Sequence, residues 1–377
     1  MWLGAWQASP QITEERNLPP APGLTGSTLR QMLRVTAGGA QWRVRISNEF
    51  GDGPLTIESA RIAKSLGGDA IDPSTDSPLT FGGQTTITLA AGTAMESDVV
   101  AKELDALSRV TVSLHVRAAP NRITGHPGSR TTSFLISGDH ARDRVLPNSV
   151  RVEHWYLLTG VSVESTVAAG AVVVLGNSIA DGRGSGTDKD DRWPDNLANR
   201  LHDNAATSRV AVLNAGIGGN AVVHGGLGPT AVDRFARDVL AQPGVRWLIV
   251  SEGVNDIGGS RKEDADAVAG ELIKAYQSFI AQAHQRGIRV YGATMPPFMG
   301  SQYGSLEHEN ARQRVNEWIR GGAAFDGVID FDAVMRSSDP TRMRGDADSG
   351  DHLHPNERGY RIMADAINLS LFVRDRD

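Results

Sequence analysis

The feature that most constrains the fold of this chain is a change of hydrophobic pattern near residue 170. Beyond it, short apolar segments alternate with helix-like ones; the apolar segments are AVVVLG (171–176), RVAVLNAG (209–216), RWLIVSEG (246–253), RVYGATMP (289–296) and VIDF (328–331). Strands that are apolar along their whole length are covered on both faces, and the intervening helices supply that cover. The pattern predicts a three-layer α/β/α domain over residues 166–377, built on a parallel sheet of five strands.

The clearest predicted helix spans residues 263–287. Apolar side chains recur on one face of it, at Val268, Leu272, Ile273, Tyr276, Phe279, Ile280 and Ala283. Spacing of three and four residues is typical of an amphipathic helix, and Gly287 is a typical stop signal.

The first 165 residues show a different pattern, in which apolar and polar residues alternate. The alternation is clearest in RVTVSLHVR (109–117) and WRVRISN (42–48), and further strand-like segments are PLTIESARIA (54–63), TTITLA (85–90) and TTSFLIS (131–137). A period of two residues is typical of half-buried strands. Because turn residues separate them and no helix stands out, the pattern predicts a jelly-roll-like β-sandwich over residues 1–165.

Charge and composition exclude several functions. A net charge of -6 and a pI near 5.9 argue against a surface for nucleic acid or anionic membranes, which attract basic proteins. No segment reaches the ~20 apolar residues that a membrane-spanning helix needs. The chain has no cysteine, which excludes disulfides, thiolate metal sites and cysteine catalysis.

The start of the sequence, Met1 to Gly4, has no charged and apolar leader. Two localisations therefore stay open: the cytoplasm, or export to the periplasm or medium with a leader removed. The sequence does not determine the oligomeric state.

Small and polar residues follow the predicted strands where chemistry is expected. Ligands of open α/β sheets bind at the carboxyl ends of the strands. Ser178 follows the first strand, Gly219 lies in the glycine-rich loop after the second, and Asn255 follows the third. Asp351 and His354 come after the last strand. This shared position predicts one site at that edge of the sheet.

The residue types suggest nucleophilic catalysis. A serine hydroxyl becomes reactive when a histidine removes its proton, and a carboxylate fixes the tautomer of that histidine. Ser178 would be the nucleophile, His354 the base and Asp351 its orienting acid, with Pro355 restricting the backbone of His354. Alternatives remain: Ser178 is a turn or cap residue, His352 is the base, or the two histidines bind a metal, although no carboxylate-rich partner motif completes that ligand set.

An oxyanion hole needs hydrogen-bond donors beside the nucleophile. The candidates are the backbone N–H groups of Ser178 and Gly219 and the side-chain amide of Asn255. The alternatives are that the Gly219 segment is simply a tight turn and that Asn255 and Asp256 cap a helix.

Four ordered motifs resemble the SGNH (GDSL-type) hydrolase superfamily of esterases and lipases, over residues 171–372. They are Gly176-Asn177-Ser178-Ile179, the loop 214–220, Gly253-Val254-Asn255-Asp256, and the segment 351–354. The resemblance implies Ser178 as nucleophile, His354 as base, Asp351 as its acid, and Ser178, Gly219 and Asn255 as the oxyanion hole. It implies no metal and no cofactor.

The β-rich first half is similar to a two-domain bacterial branch of esterases that resemble xylanase-associated acylhydrolases. That resemblance implies hydrolysis of short acyl esters, above all acetyl esters, of small molecules or carbohydrates.

One residue departs from the family pattern. Asn177 stands where the family normally has aspartate. Asparagine keeps the shape and one acceptor but exchanges the charge for two donors. We expect an active enzyme, with a catalytically impaired, carbohydrate-binding relative as the alternative.

Two other motifs are weaker. Gly216, Gly218 and Ala221 fit a dinucleotide-binding fingerprint with Asp238 near the ribose position, but another strand precedes it, unlike in a Rossmann domain. Residues 224–226 are similar to the oxyanion loop of α/β-hydrolases, but they follow the nucleophile instead of preceding it.

The tryptophans of the first half allow one further hypothesis. Trp2, Trp6, Trp42 and Trp155 could stack on carbohydrate, but large aromatic side chains are mostly buried, which favours a structural role.

Overall fold

The computed structural model describes residues 1–165, 170–322 and 324–373. It contains two compact units, the first comprising Met1–Ala168 with Thr187–Lys189 and the second Ala169–Gly186 with Asp190–Asp377. Residues 166–169, at the start of the predicted second domain, lie outside the described residues. The boundary between residues 165 and 166 therefore stays a prediction.

The first unit is built from antiparallel strands. These are β1 Trp2–Gln7, β2 Gln11–Ile12, β3 Ser27–Arg34, β4 Trp42–Asn48, β5 Leu55–Gly67, β6 Ala70–Ile71, β7 Ser77–Pro78, β8 Ile87–Leu89, β9 Thr93–Glu96, β10 Arg109–Ala118, β11 Thr124–His126, β12 Ser133–Ser137, β13 Val150–Val152, β14 Trp155–Tyr156 and β15 Leu158–Glu164. The sheets run β1-β15-β4-β9, β13-β12-β3-β10-β5-β6 with β7 and β8 also on β5, and β14-β11-β2. Its one described helical segment is the 3₁₀ turn Glu15–Asn17.

Two strands show how far the period-two pattern predicts burial. In β4 the apolar residues are buried and Arg43 and Arg45 are partly exposed, as expected for a half-buried strand. In β10 the prediction of one exposed face is wrong, because Thr111 and Ser113 are buried as well. This strand pairs with β3 on one side and β5 on the other, and the Arg30 Nε donates to the Ser113 hydroxyl at 2.8 Å. A buried polar partner replaces the solvent that the sequence pattern implied.

Three of the four tryptophans in question are buried. Trp6, Trp42 and Trp155 each expose less than a tenth of their surface, and Trp6 meets Trp155 edge to face with ring centroids 4.9 Å apart. Trp2 is partly exposed, and the Arg43 guanidinium lies 4.1 Å from its ring centroid. Buried rings contribute to a core and have no free face for stacking on a sugar.

The second unit is a five-stranded parallel sheet with helices. Its strands are β16 Gly170–Gly176, β17 Val210–Gly216, β18 Val245–Ser251, β19 Arg289–Ala293 and β20 Gly327–Ile329, in the order β17-β16-β18-β19-β20. Its helices are α1 Ser178–Asp181, α2 Trp193–Asp203, α3 Ala231–Phe235, α4 Val254–Gly259, α5 Ala265–His284, α6 Leu306–Arg320, α7 Phe331–Met335 and α8 Glu357–Asp365. A π-helical turn spans Ala236–Leu240, and 3₁₀ turns span Lys262–Asp264 and Leu369–Phe372. The predicted fold class is confirmed.

Helix α5 follows the predicted stripe with two exceptions. Leu272, Tyr276, Phe279, Ile280 and Ala283 are buried, whereas Val268 and Ile273 at the stripe's margin are partly exposed. The predicted stop is correct, because Gly287 has a φ of +68°, a conformation that glycine adopts without strain.

Candidate active site

The carboxyl ends of three neighbouring strands meet at one edge of the parallel sheet. Gly176, the last residue of β16, is in register with Gly216 of β17 on one side and Ser251 of β18 on the other. The chain leaves β16 to form β17 on one flank and then β18 on the other, so the strand order reverses at β16. Such a reversal leaves a crevice at the strand ends, which is where open α/β proteins bind ligands.

Ser178 begins helix α1 directly after this reversal point. Asn177 precedes it with extended backbone, and its Oδ1 accepts the Ile179 N–H at 3.0 Å, so the side chain caps the helix. The turn is tight: a Cβ on Gly176 would lie 2.4 Å from the Ala180 Cβ. The glycine therefore lets helix α1 fold back against its own strand, and Ser178 is held in a fixed, buried turn.

Three predicted residues form one hydrogen-bonded chain. The Ser178 Oγ lies 2.8 Å from the His354 Nε2, and the His354 Nδ1 lies 2.7 Å from the Asp351 Oδ2. Ser178 and His354 are buried, whereas the Asp351 side chain is 40% exposed. The carboxylate therefore meets solvent on one side and the imidazole on the other.

The carboxylate of Asp351 also organises its own turn. Its Oδ1 accepts the backbone N–H groups of Leu353 at 3.0 Å and His354 at 2.8 Å. Partial burial alone would raise the pKa of Asp351, but the hydrogen bonds from the His354 ring and backbone outweigh it and lower the pKa to about 2. The group is ionised throughout the range in which a histidine base operates.

His352, the alternative candidate for the base, pairs with a different carboxylate. Its Nδ1 lies 2.7 Å from the Asp348 Oδ2, and its backbone is left-handed with a φ of +60°. The two histidines thus belong to separate histidine–aspartate pairs. Within residues 1–165, 170–322 and 324–373, no three histidine, aspartate or glutamate side chains form a group that could hold a metal ion.

The glycine-rich loop after β17 is a tight turn, as the simpler alternative predicted. The Asn220 N–H donates to the Ile217 carbonyl at 3.1 Å, and Gly219 has a φ of +72°. The Gly218 N–H donates to the Asp181 Oδ2 at 2.9 Å, which ties the turn to helix α1. In the described part of the chain, neither the Gly219 N–H nor the Ser178 N–H has an acceptor. One backbone donor of the turn, at Gly219, and one of helix α1, at Ser178, are therefore left for a ligand.

Asn255 lies beside this turn. Its Nδ2 donates to the Asn220 carbonyl at 2.7 Å, and its Oδ1 accepts the Tyr303 hydroxyl at 3.1 Å. These bonds fix the orientation of the amide and use one of its two N–H groups. The alternative that Asn255 and Asp256 cap a helix is wrong, because Gly253 is the N-cap of α4. The Asp256 carboxylate instead accepts the backbone N–H groups of Val222 and Val223.

Arg234, which the sequence analysis did not single out, ties the strand ends together. Its side chain is fully buried and donates to the Ala215 carbonyl at 2.6 Å, the Gly176 carbonyl at 3.0 Å and the Asn220 Oδ1 at 3.0 Å. Asp238, the residue of the dinucleotide fingerprint, accepts from the same guanidinium at 3.1 Å. It is thus part of an internal ion pair.

The fingerprint glycines also have a packing role. A Cβ on Gly216 would lie 2.5 Å from the Asp181 backbone nitrogen. This glycine makes room for helix α1, a requirement that involves no pyrophosphate.

The side chain of the unusual Asn177 contacts a buried carboxyl group, that of Glu252. Glu252 is completely buried, and its Oε2 accepts the Asn177 Nδ2 at 3.2 Å, while its Oε1 lies 3.5 Å from an Arg234 nitrogen. Burial raises the pKa of Glu252 to about 8, against the opposing effect of Arg234. Asparagine presents an acceptor to helix α1 and a donor to Glu252 at once, whereas an aspartate would set a second carboxylate against it.

Comparisons with known proteins agree with the motifs. The model of the GDSL-like lipase/acylhydrolase family matches residues 174–362, which is half of the chain. No curated protein matches the chain.

Several solved structures are similar to it. A member of the lipolytic protein G-D-S-L family from Veillonella parvula is 24% identical, with 52% of this chain and 96% of that chain covered and a TM-score of 0.38. An acetyl xylan esterase from Geobacillus stearothermophilus is 20% identical, with 56% of this chain and 100% of that chain covered and a TM-score of 0.40. A carbohydrate acetylesterase family member from Sinorhizobium meliloti is 14% identical, with 52% of this chain and 94% of that chain covered and a TM-score of 0.38.

Within residues 1–165, 170–322 and 324–373, no helix combines the length and apolar character needed to cross a lipid bilayer.

Proposed function

Because the chain belongs to the GDSL-like lipase/acylhydrolase family, we propose that it is a serine ester hydrolase that acts through an acyl-enzyme intermediate. The observation that carries this proposal is the 2.8 Å contact between the Ser178 Oγ and the His354 Nε2. A serine hydroxyl within hydrogen-bond reach of an oriented imidazole is the arrangement that nucleophilic acyl transfer requires.

In the first step His354 acts as general base. Its Nδ1–H donates to the Asp351 carboxylate at 2.7 Å, which leaves the Nε2 lone pair for the serine proton. As the Ser178 Oγ attacks the ester carbonyl, the proton passes to Nε2, and the Asp351 carboxylate stabilises the imidazolium. The imidazolium then protonates the departing alcohol oxygen when the carbon–oxygen bond of the ester breaks.

The negative charge that develops on the carbonyl oxygen needs donors that are already oriented. The Ser178 and Gly219 N–H groups and the remaining Asn255 amide N–H would supply them. Asp181 and Asn220 hold the two loop segments that carry these donors. Little reorganisation is then needed at the moment of reaction.

In the second step water hydrolyses the acyl-enzyme. His354 removes a proton from the water, the hydroxide oxygen bonds to the acyl carbon, and the serine oxygen leaves with the proton held on Nε2. The products are a carboxylic acid and an alcohol, and none of these steps calls for a metal ion or a cofactor.

The proposed substrates are short acyl esters, above all acetyl esters, of small molecules or carbohydrates. The Leu227 side chain packs against Gly219, where a Cβ would lie 3.0 Å from its Cδ1, and the Leu227 N–H binds the Gly219 carbonyl at 2.9 Å. We propose that this leucine, which is 38% exposed, lies beside the acyl group of the ester and restricts its length. Rates on p-nitrophenyl esters of increasing chain length, measured beside acetylated xylan, test this restriction.

We favour hydrolysis over the alternative of a catalytically impaired, carbohydrate-binding relative. Asn177 keeps the capping bond to Ile179 that holds the nucleophile turn, and it finds a matched partner in Glu252. The three tryptophans buried in the first unit also offer no stacking face.

The decisive experiment is the variant Ser178→Ala assayed on p-nitrophenyl acetate. We expect kcat to fall by about 10⁶-fold, with a small residual rate from the remaining oxyanion donors, and an unchanged melting temperature. Ser208→Ala is the matched control, because Ser208 precedes β17 at the opposite edge of the sheet. An unchanged rate for Ser178→Ala would end the proposal.

A further inference from the structure

His352 adopts a backbone conformation that costs energy. Its φ of +60° lies in the left-handed region, which is uncommon for residues other than glycine, although histidine, like asparagine and aspartate, enters it more often than most. Strain of this kind persists only where the surroundings impose it, and it concentrates at functional sites. His352 lies between the proposed acid Asp351 and the proposed base His354, yet the mechanism above does not use it.

The surroundings hold the His352 ring in one orientation. The Asp348 Oδ2 lies 2.7 Å from its Nδ1, while the Asp348 Oδ1 accepts the backbone N–H groups of Gly350 at 2.8 Å and His352 at 3.1 Å. Asp348 is nearly buried, with 6% of its side chain exposed, whereas the His352 side chain is 51% exposed. A buried carboxylate thus presents an imidazole to solvent.

The hydrogen bond to Asp348 also determines which nitrogen of the His352 ring can accept a hydrogen bond. With the proton on Nδ1, the Nε2 carries a lone pair and is a hydrogen-bond acceptor. Among the described residues, no group of the protein binds this nitrogen. The exposed edge of His352 is therefore an oriented acceptor without an internal function.

A neighbouring loop contacts both the His352 ring and the candidate site. The ring lies against Gly300, where an added Cβ would be 3.3 Å from the His352 Cδ2. The same loop continues to Tyr303, whose hydroxyl donates to the Asn255 Oδ1 at 3.1 Å. One short loop therefore contacts His352 at one end and a proposed oxyanion donor at the other.

We propose that the Nε2 of His352 accepts a hydrogen bond from a free hydroxyl group on the alcohol part of the ester, so that the protein prefers esters of polyols or sugars to esters of simple alcohols. The inference rests on the proposed esterase function and adds the class of alcohol.

Glyceryl monoacetate and propyl acetate provide a matched pair of probes. Both are acetate esters of three-carbon alcohols, and they differ in the two free hydroxyl groups of the glycerol. For the wild-type protein we expect a higher kcat/KM on glyceryl monoacetate. For His352→Gly we expect the ratio of the two kcat/KM values to fall about tenfold, the effect of one lost hydrogen bond, mainly through KM.

The ratio of the two kcat/KM values separates this role from a structural one. Glycine adopts a φ of +60° without strain, but His352→Gly also leaves the nearly buried Asp348 carboxylate without its ring partner. We therefore expect a lower melting temperature, and a purely structural loss would lower both rates alike. His352→Asn, which also tolerates this conformation, should change the ratio in the same direction if the glycine variant folds poorly. Equal losses on both esters, or an unchanged ratio in both variants, would overturn the inference. Failure of the wild type to hydrolyse either ester would instead remove the esterase function, and the inference with it.

Discussion

The replacement Asp351→Asn tests the proposed mechanism most sharply, because the structure predicts which way the new amide will face. The carboxylate Oδ1 accepts two backbone N–H groups, from Leu353 and His354, and its Oδ2 accepts only the His354 Nδ1–H. Asparagine has one oxygen for these two positions. Turning its NH₂ towards the backbone would lose two hydrogen bonds at about 1 kcal/mol each.

The amide oxygen of the substituted side chain should therefore stay on the backbone side, by about 2 kcal/mol or roughly 30-fold in population. Its NH₂ then faces the His354 Nδ1 and forces that nitrogen to accept. The ring proton moves to Nε2, where it points at Ser178 and blocks proton abstraction. Orientation alone predicts a loss of about 30-fold in kcat, and loss of the charge that stabilises the imidazolium brings the total to about 10⁴.

The assay is kcat on p-nitrophenyl acetate, corrected with Ser178→Ala, together with the melting temperature by circular dichroism. The melting temperature should change little, because the turn keeps its two backbone bonds. Asp346→Asn is the matched control: it removes the same charge from a nearby exposed position, where the carboxylate pairs with Arg344 and Arg358. A kcat above a tenth of the wild-type value for Asp351→Asn would refute the reasoning.

Asn255→Ala should lower kcat by about 10²–10³ if the amide is an oxyanion donor; a loss below threefold would remove it from that role. Burial raises the pKa of Glu252 to about 8 from 4.5, so the folded state holds this proton more tightly than the unfolded state. The contribution of protonated Glu252 to the free energy of unfolding is therefore complete below about pH 4.5 and is lost as the pH rises through 8. Urea titrations should show that Glu252→Gln reduces this loss, and parallel curves for the two proteins would contradict the assignment. Asn177→Asp should lower the melting temperature more at pH 9 than at pH 6, because two adjacent carboxylates must share a proton. Recovery of the melting temperature at pH 9 in the double variant Asn177→Asp/Glu252→Gln would identify residues 177 and 252 as the interacting pair. Equal losses at both pH values would point to another cause.

Much of the second unit could be predicted from the sequence because its strands are apolar without interruption. Segments such as 171–176 have one stable environment, the middle of a covered sheet. The pattern was less informative in β10, where Thr111 and Ser113 are buried although their type suggests exposure. Their burial depends on strands that are distant in sequence, such as the one that carries Arg30.

For the site, the sequence predicted which residues gather at the sheet edge and missed what holds them there. Ser178, Asp351 and His354 form the expected hydrogen-bonded chain, while their catalytic roles stay predictions, as do those of Gly219 and Asn255. Arg234 gave no signal, because an arginine on a helix usually faces solvent. The Asn177–Glu252 contact is equally invisible, since nothing local shows that residue 252 is buried against residue 177.

The proposed base and its acid share one short turn, and this has a consequence for how activity is lost. The Ser349 N–H binds the His354 carbonyl at 2.9 Å and the Asn356 N–H binds the Ala347 carbonyl at 2.8 Å, so the turn is closed at its neck. Imidazole and carboxylate therefore move as one piece, and a single displacement relative to Ser178 separates both from the nucleophile. We expect heat inactivation to follow the detachment of this one small segment, at temperatures where the sheet beneath it is still intact.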